Sequence, residues 1–225
     1  MAENPLLPHR KLQELYSTLE RARVLEKKQR TTFHREAVLA ATTMQLDKGD
    51  YLSHAAKDIP ASLLAPPVKH PAAKSDEATR LQYAAATARG QQLCGEHITL
   101  AYTQAGDKAT GWKEALTLAQ EERLPFVLCI IDPIGADVKR TKDTLQWPTF
   151  DAFVRKIKMP VLTVDGDDAV AMYRAMQESA LRARTGLGAS TIWAVVSKSA
   201  KLTASQRPVA RLRRYLSARN IPLEN

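Results

Sequence analysis

The sequence predicts an α/β protein built on a parallel sheet with crossover helices, and three observations lead there. From residue 98 onward, short runs of apolar, mostly β-branched or aromatic residues alternate with longer stretches of helical periodicity, the signature of strand–helix–strand units. Those runs are apolar at consecutive positions rather than at every second one, as strands covered on both faces require. Ahead of them lie two helical stretches and a proline-rich segment, so the sheet is preceded by N-terminal helices.

Residues 9–30 carry Leu12, Leu15, Tyr16, Leu19, Ala22 and Val24 at near-helical spacing with charges between them, an amphipathic helix. A second helix is expected over 35–46, ending before Lys48-Gly49-Asp50, where glycine supplies a left-handed stop. Pro60, Pro66, Pro67 and Pro71 interrupt the next stretch and mark residues 59–77 as a linker. A helix follows over 78–92. Strands are expected at 98–102, 125–131, 161–164 and 191–196, with helices at 110–122, 149–156, 167–184 and 209–219. The chain reads as one domain over 1–225: an N-terminal helical part (1–58), the linker (59–77) and an α/β core (78–225). No internal repeat is visible, and the pattern leaves the strand order open.

At 225 residues, 44% hydrophobic and 25% charged, the chain can bury a sizeable core, and its composition excludes a collagen, coiled-coil or wholly disordered class. No apolar run approaches the roughly 18 residues of a membrane span. The segment Met1-Ala2-Glu3-Asn4-Pro5 lacks the basic-then-apolar pattern of a secretory signal, so a cytoplasmic location is expected. Cys94 and Cys129 share no metal-ligand spacing and read as buried small apolar residues. The formal charge of +9 is concentrated late. Between 198 and 225, Lys198, Lys201, Arg207, Arg211, Arg213, Arg214 and Arg219 face only Glu224. The favoured reading is a solvated helix face. The alternative, a nucleic-acid-binding protein, rests on that tail alone, without aromatic interleaving or a known motif.

Ligands of open parallel sheets sit beyond the carboxyl ends of the strands, so the loops there carry the candidate chemistry. Gly106-Asp107, then Asp132 through Asp137, then Asp165-Gly166-Asp167-Asp168 offer carboxylates suited to hard cations. Turn chemistry explains the Asp132 loop just as well and is the favoured reading of Gly106-Asp107, and in the third loop Asp167 as a helix cap with Asp168 in the first turn is favoured. No P-loop occurs. Gly186-Leu187-Gly188 lacks the third glycine of a dinucleotide fingerprint and precedes a strand. All five histidines lie in the first 97 residues, and no Gly-x-Ser-x-Gly elbow is present. His34 and His54 flank the second helix as cap or surface groups.

Several stretches, taken in order, resemble one family. Leu15-Tyr16-Ser17-Thr18-Leu19 through Arg23-Val24-Leu25-Glu26, Glu36-Ala37-Val38, Asp50-Tyr51, Glu114-Ala115-Leu116 through Leu124-Pro125-Phe126-Val127, Val164-Asp165-Gly166-Asp167-Asp168, Ala183-Arg184-Thr185-Gly186-Leu187-Gly188 and Arg207-Pro208-Val209-Ala210-Arg211-Leu212 are similar to landmarks of the alpha subunit of the decarboxylating component of 2-oxo acid dehydrogenases, of the pyruvate and branched-chain type. The resemblance implies a thiamin diphosphate-binding fold, usually assembled with a beta-type subunit.

It also implies which positions should hold the cofactor, and there the chain departs from the family. The family's Gly-Asp-Gly falls on Thr103-Gln104-Ala105, placing an amide at Gln104 where a magnesium-binding carboxylate is expected, and its asparagine after the second strand falls on Pro133. The diphosphate-contacting Tyr-Arg pair maps to Ala56 and Lys57, and the first active-site histidine maps to Arg30, with His34 as a displaced candidate. No histidine stands after the last strand, where the family places a second. The expectation is therefore a shortened, catalytically degenerate homologue with no cofactor, working as a regulatory or assembly subunit with a beta-type partner or as a homodimer. The alternative is an active 2-oxo acid decarboxylating enzyme using thiamin diphosphate and Mg2+, with Asp107 and Asp132 as relocated metal ligands and His34 as the catalytic histidine.

Overall fold

The alternating pattern builds eight helices and five strands among the residues described by the computed structural model, 7–29, 33–55, 58–66, 68, 77–106, 111–134, 144–198 and 202–223. In chain order they are α1 (His9–Gln29), α2 (Glu36–Thr43), β1 (Tyr51–Ser53), α3 (Ile59–Leu64), α4 (Glu77–Cys94), β2 (Thr99–Gln104), α5 (Trp112–Glu121), β3 (Phe126–Ile134), α6 (Trp147–Lys156), β4 (Val161–Asp165), α7 (Ala169–Arg184), β5 (Ser190–Ser197) and α8 (Pro208–Ser217).

All five strands are parallel, in the order β1-β2-β3-β5-β4. Parallel crossovers are right-handed, and the strand order then decides which face each helix covers. The connections through α4, α5 and α6 run one way across the sheet, whereas α7 leads back from the β4 edge to β5. Accordingly α4, α5 and α6 pack on one face, around Leu81, Leu116, Phe126, Phe150 and Trp193. The other face carries α1, α2, α7 and α8, around Leu12, Leu19, Leu39, Met172 and Leu212. Residues of β3 are buried from Phe126 to Pro133, as the unbroken apolar run predicts. No helix is long and apolar enough among the described residues to cross a membrane.

Four local features differ from the expectations. β1 is a three-residue strand, too short to stand out as a pattern, and is held by the buried Asp50, whose carboxylate accepts from Ile98 N at 2.8 Å, Asp47 N at 2.7 Å and Arg184 Nη2 at 2.7 Å. Burial pushes the Asp50 carboxyl upward in spite of those partners. The stretch expected as linker contains α3, because Pro60 falls in the helix's first turn, where its missing N–H costs nothing, and Asp58 caps the end. The cap of α7 is Asp168, accepting from Val170 N and Ala171 N at 3.0 Å each. Asp167 instead turns inward and accepts from Ser197 N at 3.2 Å. Just before them, Gly166 is required by close approach, since a Cβ there would lie 2.6 Å from Val196 Cγ1 and 2.9 Å from Val195 O. Finally, Cys129 is buried as expected, but Cys94, at the last residue of α4, is exposed.

The N-terminal helices are locked together by Arg35. Its Nε donates to Glu26 Oε2 at 2.9 Å, and its two Nη groups donate to Asp58 Oδ2 and Oδ1 at 2.6 and 2.7 Å. The Arg35, Glu26 and Asp58 side chains are 9%, 5% and 8% exposed. Burial works against the charge on Arg35, yet the hydrogen bonds from Glu26 and Asp58 hold its pKa above the ordinary arginine value. One guanidinium thus joins the end of α1, the start of α2 and the cap of α3.

Two outcomes follow from these contacts. Arg35→Gln strands two buried carboxylates and should lower unfolding free energy by about 3–5 kcal/mol in urea melts; the matched triple variant R35M/E26L/D58N should recover most of that loss. In native protein, a maleimide should label Cys94 alone. Burial pushes the Cys129 thiol up to about 12, so its labelling should await global unfolding and report the unfolding equilibrium.

Candidate functional site

Parallel strands end together, and their carboxyl ends form the crevice where ligands of such sheets bind. Here the crevice lies over β1, β2 and β3. A cavity of about 90 Å3 opens there, lined by Arg35, Asp58, Arg80, Tyr102, Gln104 and Ile131 among others. Ligand pockets run from roughly 300 to 1,000 Å3, so this space is small for an organic cofactor.

Its walls are polar and largely committed to one another. Arg80, on α4, is buried and donates through Nη1 to Ser53 Oγ at 3.0 Å and through Nη2 to the Tyr102 carbonyl. The Tyr102 hydroxyl pairs with Thr42 Oγ1, and full burial pushes that phenol well above its ordinary pKa. Two buried cations, Arg35 and Arg80, therefore stand at the crevice, and the first is matched by Glu26 and Asp58.

The residues anticipated from the sequence are distributed unevenly around this space. Gln104 is half-buried, lines the cavity and is in register with Ile131 of β3. Pro133 lies two residues beyond Ile131, on the same face of β3 by strand alternation, and offers no side-chain oxygen. Asp132 belongs to the opposite face. Its Oδ2 accepts from Trp193 Nε1 at 3.1 Å, beneath an aromatic cluster in which Trp193 lies 5.0 Å from both Phe150 and Trp147. His34 is separate again. Its backbone N–H bonds Ser197 O at 3.0 Å, its Nδ1 meets the Glu36 carboxylate at 3.0 Å, and it lines another cavity, near α1 and Arg207. Ala56, Lys57, Arg30 and Asp107 lie outside the described residues. Among the described residues, no three His, Cys, Asp or Glu side chains converge on a common point.

The sequence reading missed Arg35, Asp58 and Arg80, all polar residues at the crevice itself. One signal existed. Glu26 continues the 3-4 spacing of Leu12, Leu15, Leu19 and Ala22, so a carboxylate stands where the buried stripe of α1 demands an apolar residue and must meet a cation inside.

Four of the late basic residues are spent on the protein's own surface. Arg211 pairs with Asp165 at 2.9 Å and Asp168 at 3.4 Å, Arg213 bonds the Tyr16 hydroxyl, Arg214 bonds Ser205 O, and Arg219 stacks 3.8 Å from the Tyr215 ring centre.

Comparison with known proteins agrees with this geometry. No curated protein sequence matches the chain. Among solved structures it is similar to a transketolase from Campylobacter jejuni subsp. jejuni, with TM-score 0.58 and 15% identity over 92% of this chain and 40% of that one. It is also similar to benzoylformate decarboxylase from Polynucleobacter necessarius, with TM-score 0.51 and 12% identity over 74% of this chain and 33% of that one. An enzyme from Mycobacterium smegmatis described as thiamin diphosphate-dependent matches with TM-score 0.53 and 11% identity over 72% of this chain and 31% of that one. The chain thus spans about a third to two fifths of the length of these structures, and at such identities the likeness is one of fold. The family described as dehydrogenase E1 component matches residues 73–196, more than half of the 225. With its parallel sheet and flanking helices, the chain belongs to the dehydrogenase E1 component family and has the thiamin diphosphate-binding fold.

Proposed function

We propose that this chain is a catalytically degenerate member of the family that serves as a regulatory or assembly subunit, docking on a beta-type subunit or on a second copy of itself. The observation that carries the reading is the donor set over β2 and β3. Magnesium takes near-octahedral oxygen ligands, typically carboxylates with phosphate and water. The two positions that resemble the family's ligands hold Gln104 and Pro133, one neutral oxygen and none. Asp132 is not a substitute, because its carboxylate is engaged by Trp193 on the other face of the sheet. Reaching the crevice would require inverting a buried strand by one residue, which turns every neighbouring side chain over as well.

These residues do not fit a magnesium-bound diphosphate. The small cavity and its pairing of Arg35 with Asp58 support the same reading: the strongest charge at the crevice is matched within the chain. The commitment of the C-terminal arginines to Asp165, Asp168, Tyr16 and Tyr215 leaves a nucleic-acid role without a distinctive basic surface. A fold kept without its reactive groups can still act through its surface.

Calorimetric titration with thiamin diphosphate and Mg2+, alone and after coexpression with a beta-type subunit, tests the degenerate site. The expected result is no saturable heat in either state; binding at one cofactor per chain overturns the reading. Sedimentation of the same samples tests the assembly role. A stable complex with the beta-type subunit, or a homodimer, is expected, and a monomer in both samples removes that role.

A further inference from the structure

A second cavity, of about 70 Å3, lies between the last turns of α1 and the start of α8 and is lined by Arg23, Lys27, His34, Glu36 and Arg207, with Glu26 and Phe33 completing the wall. Its charges do not balance internally. Glu26 is committed to Arg35 at 2.9 Å, and Glu36 to His34 Nδ1 at 3.0 Å. Among the described residues, Arg23, Lys27 and Arg207 make no side-chain hydrogen bond or ion pair. Arg23 and Lys27 stand four residues apart on α1, where like charges repel. Arg207 caps the N-terminus of α8, whose first turn contains no acidic residue, so a cation adds to the positive end of the helix dipole.

Two buried nitrogens point to what is needed. The Nε2 of His34 and the Nε of Arg207 are shielded from solvent and have no hydrogen-bond partner. The His34 ring is fixed by its neighbours, because the Glu36 carboxylate is an acceptor and so receives the Nδ1 proton. That leaves Nε2 as the ring's free position on a cavity that holds three further cations.

We propose that this cavity binds a small tetrahedral oxyanion, with free hydrogen phosphate as the occupant. One water needs roughly 10–15 Å3 of such space, so the cavity has room for a small ion. Phosphate oxygens would accept from Arg207 and from Arg23 or Lys27 as charge-assisted bonds. Hydrogen phosphate carries both an O–H donor and acceptor oxygens, so it can pair with His34 Nε2. Sulfate near neutral pH has only acceptor oxygens and no proton to donate to that nitrogen. The cavity is distinct from the one that Gln104 lines, so this site stands or falls independently of cofactor binding.

The test is an NMR titration of the full chain with inorganic phosphate at pH 7.5 and constant ionic strength, observing the His34 ring, with H34Q used for assignment. A saturable shift of Nε2 is expected, and Arg207→Gln should weaken binding about tenfold, the equivalent of one lost charge-assisted contact. Arg174→Gln, on the exposed side of α7, should leave binding unchanged. Sulfate should bind several-fold more weakly than phosphate. A response that chloride reproduces, unchanged binding in R207Q, or equal binding of sulfate overturns the proposal. If R207Q loses its near-ultraviolet dichroism, R23Q is read by the same criterion. Glycerol phosphate binding more tightly than the free ion would overturn the assignment of the occupant.

Discussion

The arrangement at the crevice depends on the cost of burying one guanidinium. Arg35 cannot shed its proton, and in a low-dielectric setting an unpaired charge is prohibitive. It must therefore collect acceptors, and the only geometry that satisfies its planar fork brings two carboxylates from two segments into one place. Glu26 comes from the end of α1 and Asp58 from the cap of α3. This constrains three chain segments that hydrophobic packing alone would leave free to slide. Asp58 is tied twice, because the carboxylate that chelates Arg35 also caps α3. The same network sits against the carboxyl ends of β1 and β2, beside Arg80, Ser53 and Tyr102. What locks the N-terminal helices is also what fills the ligand-facing side of the sheet.

The sheet itself was legible because its chemistry is redundant. β3 and β5 are covered on both faces, so Phe126 to Ile131 and Thr191 to Val196 had to be continuously apolar, and no other element reads that way at that length. Helices α1, α6 and α7 announced themselves by apolar periodicity. β1 did not, because three residues give no period; only its likeness to a family landmark, Asp50-Tyr51, marked the place. The helix α3 was hidden by composition, since prolines were weighed as breakers, yet Pro60 in a first turn behind an Asp cap favours a helix. Asp167 and Asp168 show the finer limit. Either can cap α7 from sequence, and the choice is made by the Ser197 amide at the end of β5, a contact 30 residues away.

The candidate site was legible by position and not by partnership. Sequence correspondence pointed to Gln104 and Pro133; Gln104 is in register with Ile131, and strand alternation puts Pro133 on the same face as Ile131. Asp132 is different: beside Pro133 it could replace the ligand only with a changed backbone, and the alternation of β3 gives the reason, since adjacent residues serve opposite layers. Its carboxylate belongs to the Trp193 cluster. His34 likewise looked like a displaced catalytic histidine. Its place against Ser197 and Glu36 instead puts it at the end of β5, on a cavity of its own. Single residues carry type and location, whereas pairing requires the long-range geometry that a linear pattern lacks.

Why the fold can persist while its site changes follows from where the free energy resides. The core is formed by side chains on both faces of the sheet, well below the strand ends, with Trp193, Phe126, Phe150 and Leu12, Leu15 and Leu19 of α1 fully buried. Each such group contributes on the order of 1.5–3 kcal/mol through burial. Gln104 is the last residue of β2 and Pro133 the last but one of β3, at the rim of that core, so the side-chain type at these two positions changes the total little. The polar floor is less forgiving. On the proposed degenerate reading no cofactor supplies charge there, so a buried ion must find its counter-ion within the chain, and Arg35, held between Glu26 and Asp58, meets that requirement. The network then occupies the ligand-facing side of the sheet, in keeping with the small cavity beside it.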